Sequence, residues 1–163
     1  MSKHDELLEK FENFARTAES AKSLMQHISE SLHTEMARYN WVGFYLMEFS
    51  PAKVLVLGPY VGSFVPAQRI PLEKGLCGAC ATSGKTVAVN NVGDDPRYLG
   101  TDSVKSNIVV PIILKNQVVA ELDVESYFAD AFLAAEQKFI ESCAALVGRR
   151  MEKEVSGARA KQF

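Results

Sequence analysis

The sequence is short of cysteine, of long apolar runs and of net charge, and each scarcity excludes a class of protein. Its three cysteines are an odd number and too few for a disulfide scaffold. No apolar run approaches the roughly 18 residues of a membrane-spanning helix, and the charged start does not resemble a signal peptide. Lys and Arg total 18 against 20 Asp and Glu, so no basic excess would attract nucleic acid or an anionic membrane. We therefore expect a cytoplasmic protein without nucleic-acid or membrane partners.

What the sequence does contain is enough apolar material for one globular core. Of its 163 residues, 47% are hydrophobic, and no repeat, linker or low-complexity segment divides them. We expect a single domain over residues 1–163, with an ordered core from about residue 5 to about residue 152. The tail over residues 155–163 has no periodicity and is predicted to be frayed.

Three helices are predicted from apolar residues that recur at helical spacing. The first two cover residues 7–18 and 21–36, with Ser20 as the N-cap of the second. The third covers residues 131–154, with Asp130 as its N-cap because a carboxylate there accepts from the free N–H groups of the first turn. Each helix has one apolar face. Because such a face packs on a sheet or on a second copy of the chain, we expect a homodimer formed through these helices.

The middle of the chain alternates with period two, which is typical of strands. A glycine-rich segment, residues 75–84, predicts a short helix among them, and residues 58–62 are predicted to break the second strand. Short hairpin loops favour a mostly antiparallel sheet and hence an α+β fold, with helices on one face and a ligand cavity on the other. The predicted strands cover residues 41–47, 53–57, 86–89, 107–114 and 117–125.

Three carboxylates lie on one side of the last predicted strand. Alternate residues of a strand share a face, so Glu121, Asp123 and Glu125 point the same way. By the same rule, Trp41 and Tyr45 share one face of the first strand. A solvated outer face explains the acids equally well. If the two polar faces instead line one cavity, a small cation such as an ammonium group would find ion pairs and cation–π contacts there.

Two cysteines, Cys77 and Cys80, lie one turn apart at the start of the predicted short helix. The positive end of a helix stabilises a thiolate, so the pair could carry redox chemistry, although two cysteines alone also fit chance. Cys143 lies on the apolar stripe of the last helix and is predicted to be core. The sequence has no second cysteine pair, no paired histidines and no phosphate-binding or dinucleotide motif, so we predict neither a metal nor a cofactor.

A series of motifs follows in chain order: NWVGFYL (40–46), LGPY (57–60), RIP (69–71), GLCG (75–78), IVVP (108–111) and LDVES (122–126). Together they resemble the GAF domain and, within it, the branch of free methionine-(R)-sulfoxide reductases. The resemblance extends from about residue 5 to about residue 152. It implies an antiparallel sheet with helices on one face and a ligand cavity on the other.

The same resemblance implies that the usual reductase nucleophile is missing. In the reductases, a cysteine in the loop before the IVVP strand attacks the sulfoxide. That position corresponds to Thr101 when counted from Cys77, or to Gly100 when counted back from the IVVP motif. A further family cysteine corresponds to Ala67, so only Cys77 is retained. A threonine hydroxyl is a poor nucleophile towards sulfur, and the standard mechanism is therefore not expected.

The positions that hold the substrate in the reductases correspond to the aromatic and acidic residues described above. They are Trp41, Tyr45, Asn107, Asp123 and Glu125. Asn107 replaces a glutamate of the family, which removes one negative charge. We therefore expect a non-catalytic ligand-binding or sensor module for a small polar molecule, such as an amino acid derivative.

The alternative is a divergent free methionine-(R)-sulfoxide reductase in which Cys77 and Cys80 carry the redox chemistry. This alternative requires the Cys80 thiol to face the ligand cavity rather than the core.

Overall fold

In the computed structural model, the described part of the chain covers the backbone of residues 1–161 and the side chains of residues 1–157. The helices are α1 (Lys3–Thr17), α2 (Ala21–Glu35), α3 (Gly75–Ser83) and α4 (Ala134–Lys161), with a 3₁₀ turn at Val92–Asp94. The strands are β1 (Trp41–Glu48), β2 (Val54–Gly62), β3 (Arg69–Pro71), β4 (Val87–Val89), β5 (Ser106–Leu114) and β6 (Gln117–Ser126).

The strands form one sheet in the order β3-β2-β1-β6-β5-β4, and every neighbouring pair is antiparallel. The turn between β5 and β6 consists of Lys115 and Asn116, which both have positive φ angles, at 51° and 65°. Such a two-residue turn matches the twist of the strands that it joins. The predicted antiparallel α+β fold is confirmed.

The two faces of the sheet are covered by different elements. On one face, apolar side chains such as Phe44 and Leu122 pack with residues of α1, α2 and α4 into the larger core, where Phe11 and Ile140 are fully buried. Cys143 lies in this core, as predicted. On the other face, α3 and several loops cover a smaller apolar cluster. The terminal helices therefore leave that second face free for a cavity.

The N-termini of the first two helices are capped by serine side chains. Ser20 accepts a hydrogen bond from the Ser23 amide at 3.1 Å, which confirms it as the N-cap of α2. Ser2 caps α1 in the same way through the amide of Asp5. None of the helices in the described residues is both long and apolar enough to span a membrane.

The prediction that residues 58–62 break the second strand is wrong, because β2 continues to Gly62. The pairing of β2 with β1 shifts register between Gly43 and Tyr45, which pair with Tyr60 and Leu57. A bulge therefore falls at Gly58 and Pro59. Proline lacks an N–H group, and a bulge is a place where a strand tolerates that loss.

The prediction for the last helix is wrong at both ends. Asp130 is not its N-cap: α4 begins at Ala134, and Asp130 has a positive φ of 58° in the preceding loop. That loop is held by Asn90, whose Oδ1 accepts from the Phe132 amide at 3.1 Å. At the other end, α4 continues to Lys161, through most of the predicted frayed tail, while residues 162–163 lie outside the described part. Alanine, lysine, arginine and glutamate are good helix formers and need no apolar stripe to extend a helix.

Candidate functional site

A cavity of about 400 Å³ opens on the face of the sheet that α3 covers in part. Strands β1, β5 and β6 provide its floor, the start of α3 forms one wall, and the loops before β3 and β5 complete it. Five predicted site residues line this one cavity: Tyr45, Cys77, Asn107, Asp123 and Glu125. Trp41 and Cys80, the other two, do not belong to its wall.

Strand pairing explains why aromatic and acidic side chains meet in this cavity. In the β1–β6 ladder, Trp41 pairs with Glu125 and Tyr45 with Glu121. In the β5–β6 ladder, Asn107 pairs with Glu125. Paired residues in adjacent strands project to the same side of a sheet. The two polar faces that the strand periodicity left unrelated are therefore one face.

Asp123 is the most highly connected acid in the cavity. Its Oδ1 accepts from Asn107 Nδ2 at 2.6 Å, and its Oδ2 accepts from the Cys77 thiol at 3.6 Å. Only 5% of the residue is exposed. Burial, and to a lesser degree the charge of Glu121, raises the pKa of Asp123, while the two hydrogen bonds offset part of that rise.

Glu125 also lines the cavity and is held by a loop residue. The Tyr98 hydroxyl donates to Glu125 Oε1 at 2.9 Å. Burial, together with the neighbouring charge of Asp123, raises the pKa of Glu125. Tyr98 precedes β5 by several residues, and strand periodicity does not reveal it. In the sequence, Tyr98 is distinguished only as the single aromatic residue of the loop between β4 and β5.

Glu121 lies on the same face of β6 as Asp123 and Glu125, but it does not line the cavity. It is fully buried, and neither of its carboxyl oxygens has a hydrogen-bond partner among the described residues. Burial raises the pKa of Glu121 to about 8, although the nearby thiols of Cys80 and Cys77 lower it slightly. At neutral pH this carboxyl is therefore predominantly protonated.

The cysteines are free and buried, with different surroundings. Cys77 lines the cavity, whereas Cys80 is fully buried towards Glu121. Burial, reinforced by the adjacent carboxylates, raises the pKa of the Cys77 thiol and of the Cys80 thiol well above the ordinary value. Both thiols are therefore held in the protonated, weakly nucleophilic form. No group of three or more His, Cys, Asp and Glu side chains in the described residues is arranged to bind a metal.

Trp41 does not line the cavity, and two aromatic rings that do line it, those of Phe64 and Tyr45, stack on its indole. It is fully buried, and its ring stacks on Phe64 at a centroid distance of 5.8 Å and an interplanar angle of 14°. Phe64 itself lines the cavity. The sequence reasoning missed Phe64 because it lies in the loop before β3, outside any periodic pattern. The Tyr45 hydroxyl donates to the Ala67 carbonyl in the same loop at 2.9 Å.

The cavity has acidic side chains at its floor and basic side chains at its rim. Arg69 and Lys74 lie among the lining residues and are exposed, and Arg69 pairs with Glu48 at 3.0 Å. Thr101 also lines the cavity, and its hydroxyl has no partner among the described residues. An acidic floor, a basic rim and a free hydroxyl suit a small molecule that carries an ammonium group and a second polar group.

Comparisons with known proteins agree with this architecture. The chain is 32% identical over 139 residues to the free methionine-R-sulfoxide reductase of Saccharomyces cerevisiae. The aligned region covers 84% of this chain and 75% of that protein. It is 32% identical over 103 residues to the Escherichia coli protein of the same name, covering 63% of this chain and 60% of that one.

Solved structures show the same fold. The free methionine-R-sulfoxide reductase from Neisseria meningitidis, determined in complex with its substrate, superposes with a TM-score of 0.87 at 24% identity, covering 94% of this chain and 91% of that one. The type II free methionine-R-sulfoxide reductase from Thermoplasma acidophilum superposes with a TM-score of 0.75 at 28% identity, covering 88% of this chain and 96% of that one. The family model described as the GAF domain matches residues 20–151. The chain therefore belongs to the GAF domain family, among homologues of the free methionine-R-sulfoxide reductases.

Proposed function

We propose that the protein is a non-catalytic sensor or binding module for a small polar molecule with a cationic amine, such as an amino acid derivative. The observation that carries the proposal is that Asp123 and Glu125 line one cavity and accept hydrogen bonds from neutral groups only. An ammonium ion would be the first positive charge to contact these acids, and the nearby ring of Tyr45 would add a cation–π contact.

The cavity supports binding better than thiol catalysis. If the resemblance to the reductases holds along this loop, their nucleophile would correspond to Gly100 or Thr101. Both of these residues line the cavity, and neither has a thiol. A hydroxyl at this place can hydrogen-bond a ligand, but it is a poor nucleophile towards a sulfoxide without strong activation.

The second candidate is a reductase that uses Cys77 and Cys80. It is supported by the names of the relatives and by the position of Cys77 in the cavity wall. Against it, Cys80 is buried towards Glu121 and does not line the cavity. The acidic surroundings also disfavour the thiolate that would have to attack.

Titration calorimetry with free amino acids and with L-methionine-(R)-sulfoxide tests binding. We expect Glu125→Gln to weaken the affinity for the amine, because removing a charge from a buried ion pair costs about 2–5 kcal/mol. The matched control is Glu19→Gln, because Glu19 is an exposed carboxylate in the loop between α1 and α2. A folded wild-type protein that binds none of these compounds would contradict the proposal.

An activity assay separates the two candidates. NADPH oxidation through thioredoxin reductase and thioredoxin, with L-methionine-(R)-sulfoxide as substrate, should show no turnover by the wild type. Turnover that disappears in Cys77→Ser would favour the reductase and refute the non-catalytic module. Turnover that survives this substitution would exclude the Cys77 and Cys80 mechanism and would refute the non-catalytic module as well.

The homodimer and the cytoplasmic location remain predictions. Association through the helices would involve the face of the helical layer that points away from the sheet. Light scattering coupled to size-exclusion chromatography gives the mass in solution, and a value near 18.0 kDa would contradict the dimer.

A further inference from the structure

The ring of Phe64 closes the side of the ligand cavity that faces Trp41. It lines the cavity on one side and stacks on the indole on the other, nearly parallel to it. The indole is fully buried, and a second ring, that of Tyr60, stacks on it at a centroid distance of 5.5 Å. Phe64 and Tyr45, whose ring also lines the cavity and stacks on the indole at a centroid distance of 6.5 Å, are therefore the layer between Trp41 and the space that a ligand would occupy; of the two, only Phe64 is carried by a loop rather than by a strand.

The Trp41 ring cannot retreat further from the cavity. It lies over two glycines of the sheet: a Cβ atom at Gly43 would lie 2.6 Å from Trp41 Cη2, and one at Gly62 would overlap the indole as well. The indole N–H is buried and has no hydrogen-bond partner among the described residues. Trp41 thus presents a fixed ring face to any group that takes the place of Phe64.

The segment that carries Phe64 is held on both sides of the ring. Ser63 hydrogen-bonds the Tyr127 hydroxyl, and the Ala67 carbonyl accepts from Tyr45. Between these anchors, Val65 is 82% exposed and makes little contact with the rest of the protein. The anchors define where the Phe64 ring lies, so its size, rather than movement of the loop, sets the extent of the cavity.

We propose that Phe64 is the specificity-determining residue of the cavity, because its ring sets the depth and so excludes ligands whose side group would reach Trp41. This inference rests on the proposed ligand-binding function. Without the ring, the cavity would extend to the Trp41 indole and accept an aromatic or long aliphatic side group against it.

The sole tryptophan of the chain reports on this arrangement without any ligand. We expect acrylamide to quench the Trp41 fluorescence of Phe64→Ala several-fold more strongly than that of the wild type. The matched control is Phe49→Ala, which removes the same ring from an exposed position in the turn after β1. In Phe64→Leu, which keeps apolar bulk, the quenching should lie between that of the wild type and that of Phe64→Ala. This variant replaces Phe64→Ala in the test if the alanine variant does not fold. Unchanged quenching in a folded Phe64 variant would overturn the inference.

A ligand panel tests the specificity itself. By calorimetry, the affinity for L-phenylalanine relative to that for L-methionine should rise about tenfold or more in Phe64→Ala, since a single added methylene contact in an apolar pocket is already worth about that much. An unchanged ratio would overturn the inference. If neither amino acid binds to the wild type or to the variant, the proposed ligand-binding function is refuted. The quenching result would then still show whether the Phe64 ring separates the cavity from Trp41.

Discussion

Replacing Glu121 by glutamine tests whether the fold keeps this carboxyl protonated near neutral pH. Glu121 is fully buried without a hydrogen-bond partner among the described residues, and burial raises its pKa to about 8. Glutamine has nearly the shape of protonated glutamate and does not ionise. We therefore expect Glu121→Gln to be as stable as the wild type in acid and more stable in mild alkali.

The direction and size follow from proton linkage. Because the pKa of Glu121 is raised by folding, the native state binds more protons than the unfolded state between about pH 4.5 and 8. Over that range the contribution of Glu121 to stability falls as the pH rises, by about 1.4 kcal/mol per pH unit. Once the pH has passed through 8, wild-type stability has lost about 4 kcal/mol that the glutamine variant retains.

The assay is urea denaturation of both proteins at several pH values from about 4.5 to 8.5. Wild type and variant share Asp123 and Glu125, so the difference between their unfolding free energies isolates Glu121 and its coupling to Asp123. In a thermal scan, about 4 kcal/mol corresponds to roughly 10 °C for a domain of this size. Glu19→Gln, which alters an exposed carboxylate, should follow the wild type. A difference that does not change with pH would refute the reasoning.

Two further predictions concern the ligand and the packing of the indole. Binding of L-methionine-(R)-sulfoxide should release protons between about pH 6 and 8, because an ammonium group favours the ionised forms of Asp123 and Glu125, whose pKa values burial raises. Calorimetry in two buffers of different ionisation enthalpy counts these protons, and a count of zero would contradict the prediction. Gly62→Ala should destabilise the protein by about 1–3 kcal/mol, because its Cβ would overlap the Trp41 ring. The control is Gly157→Ala in α4, where a Cβ atom would meet nothing within 4 Å, and it should stabilise the protein by about 0.5–1 kcal/mol. Urea denaturation measures both changes, and similar effects of the two substitutions would count against this account of the packing.

Much of the fold could be predicted from local patterns. Residues Ala120 to Glu125 alternate strictly between apolar and acidic side chains, so both the strand and its two faces follow from the side chains alone. The continuation of β2 through Pro59 could not be predicted in this way. It depends on a bulge whose position is set by pairing with β1, which is information that no local window contains.

The site was predictable where it rests on strands and not where it rests on loops. Tyr45, Asp123 and Glu125 follow from period two and meet in the cavity. Phe64 and Tyr98 do not follow, because their loops reach the cavity only through tertiary contacts. The same limit explains why Trp41 does not line the cavity. Strand alternation correctly assigns Trp41 to the cavity face of the sheet, but Phe64, from a loop later in the chain, covers its ring.

Glu121, Asp123 and Glu125 have the same sequence pattern but different roles, because the elements above the sheet differ along β6. Packing of Cys80 beside Glu121 buries that acid away from the cavity and keeps it protonated at neutral pH, so it adds little charge. Asp123 and Glu125 lie where the loops leave a cavity open, and each has a hydrogen-bond donor that stabilises its ionised form. Three charged acids at this spacing would repel each other strongly without a cation. Burial raises the pKa of all three acids, so the empty site need not carry three negative charges, and a bound ammonium ion favours the ionised form of the two acids that it contacts.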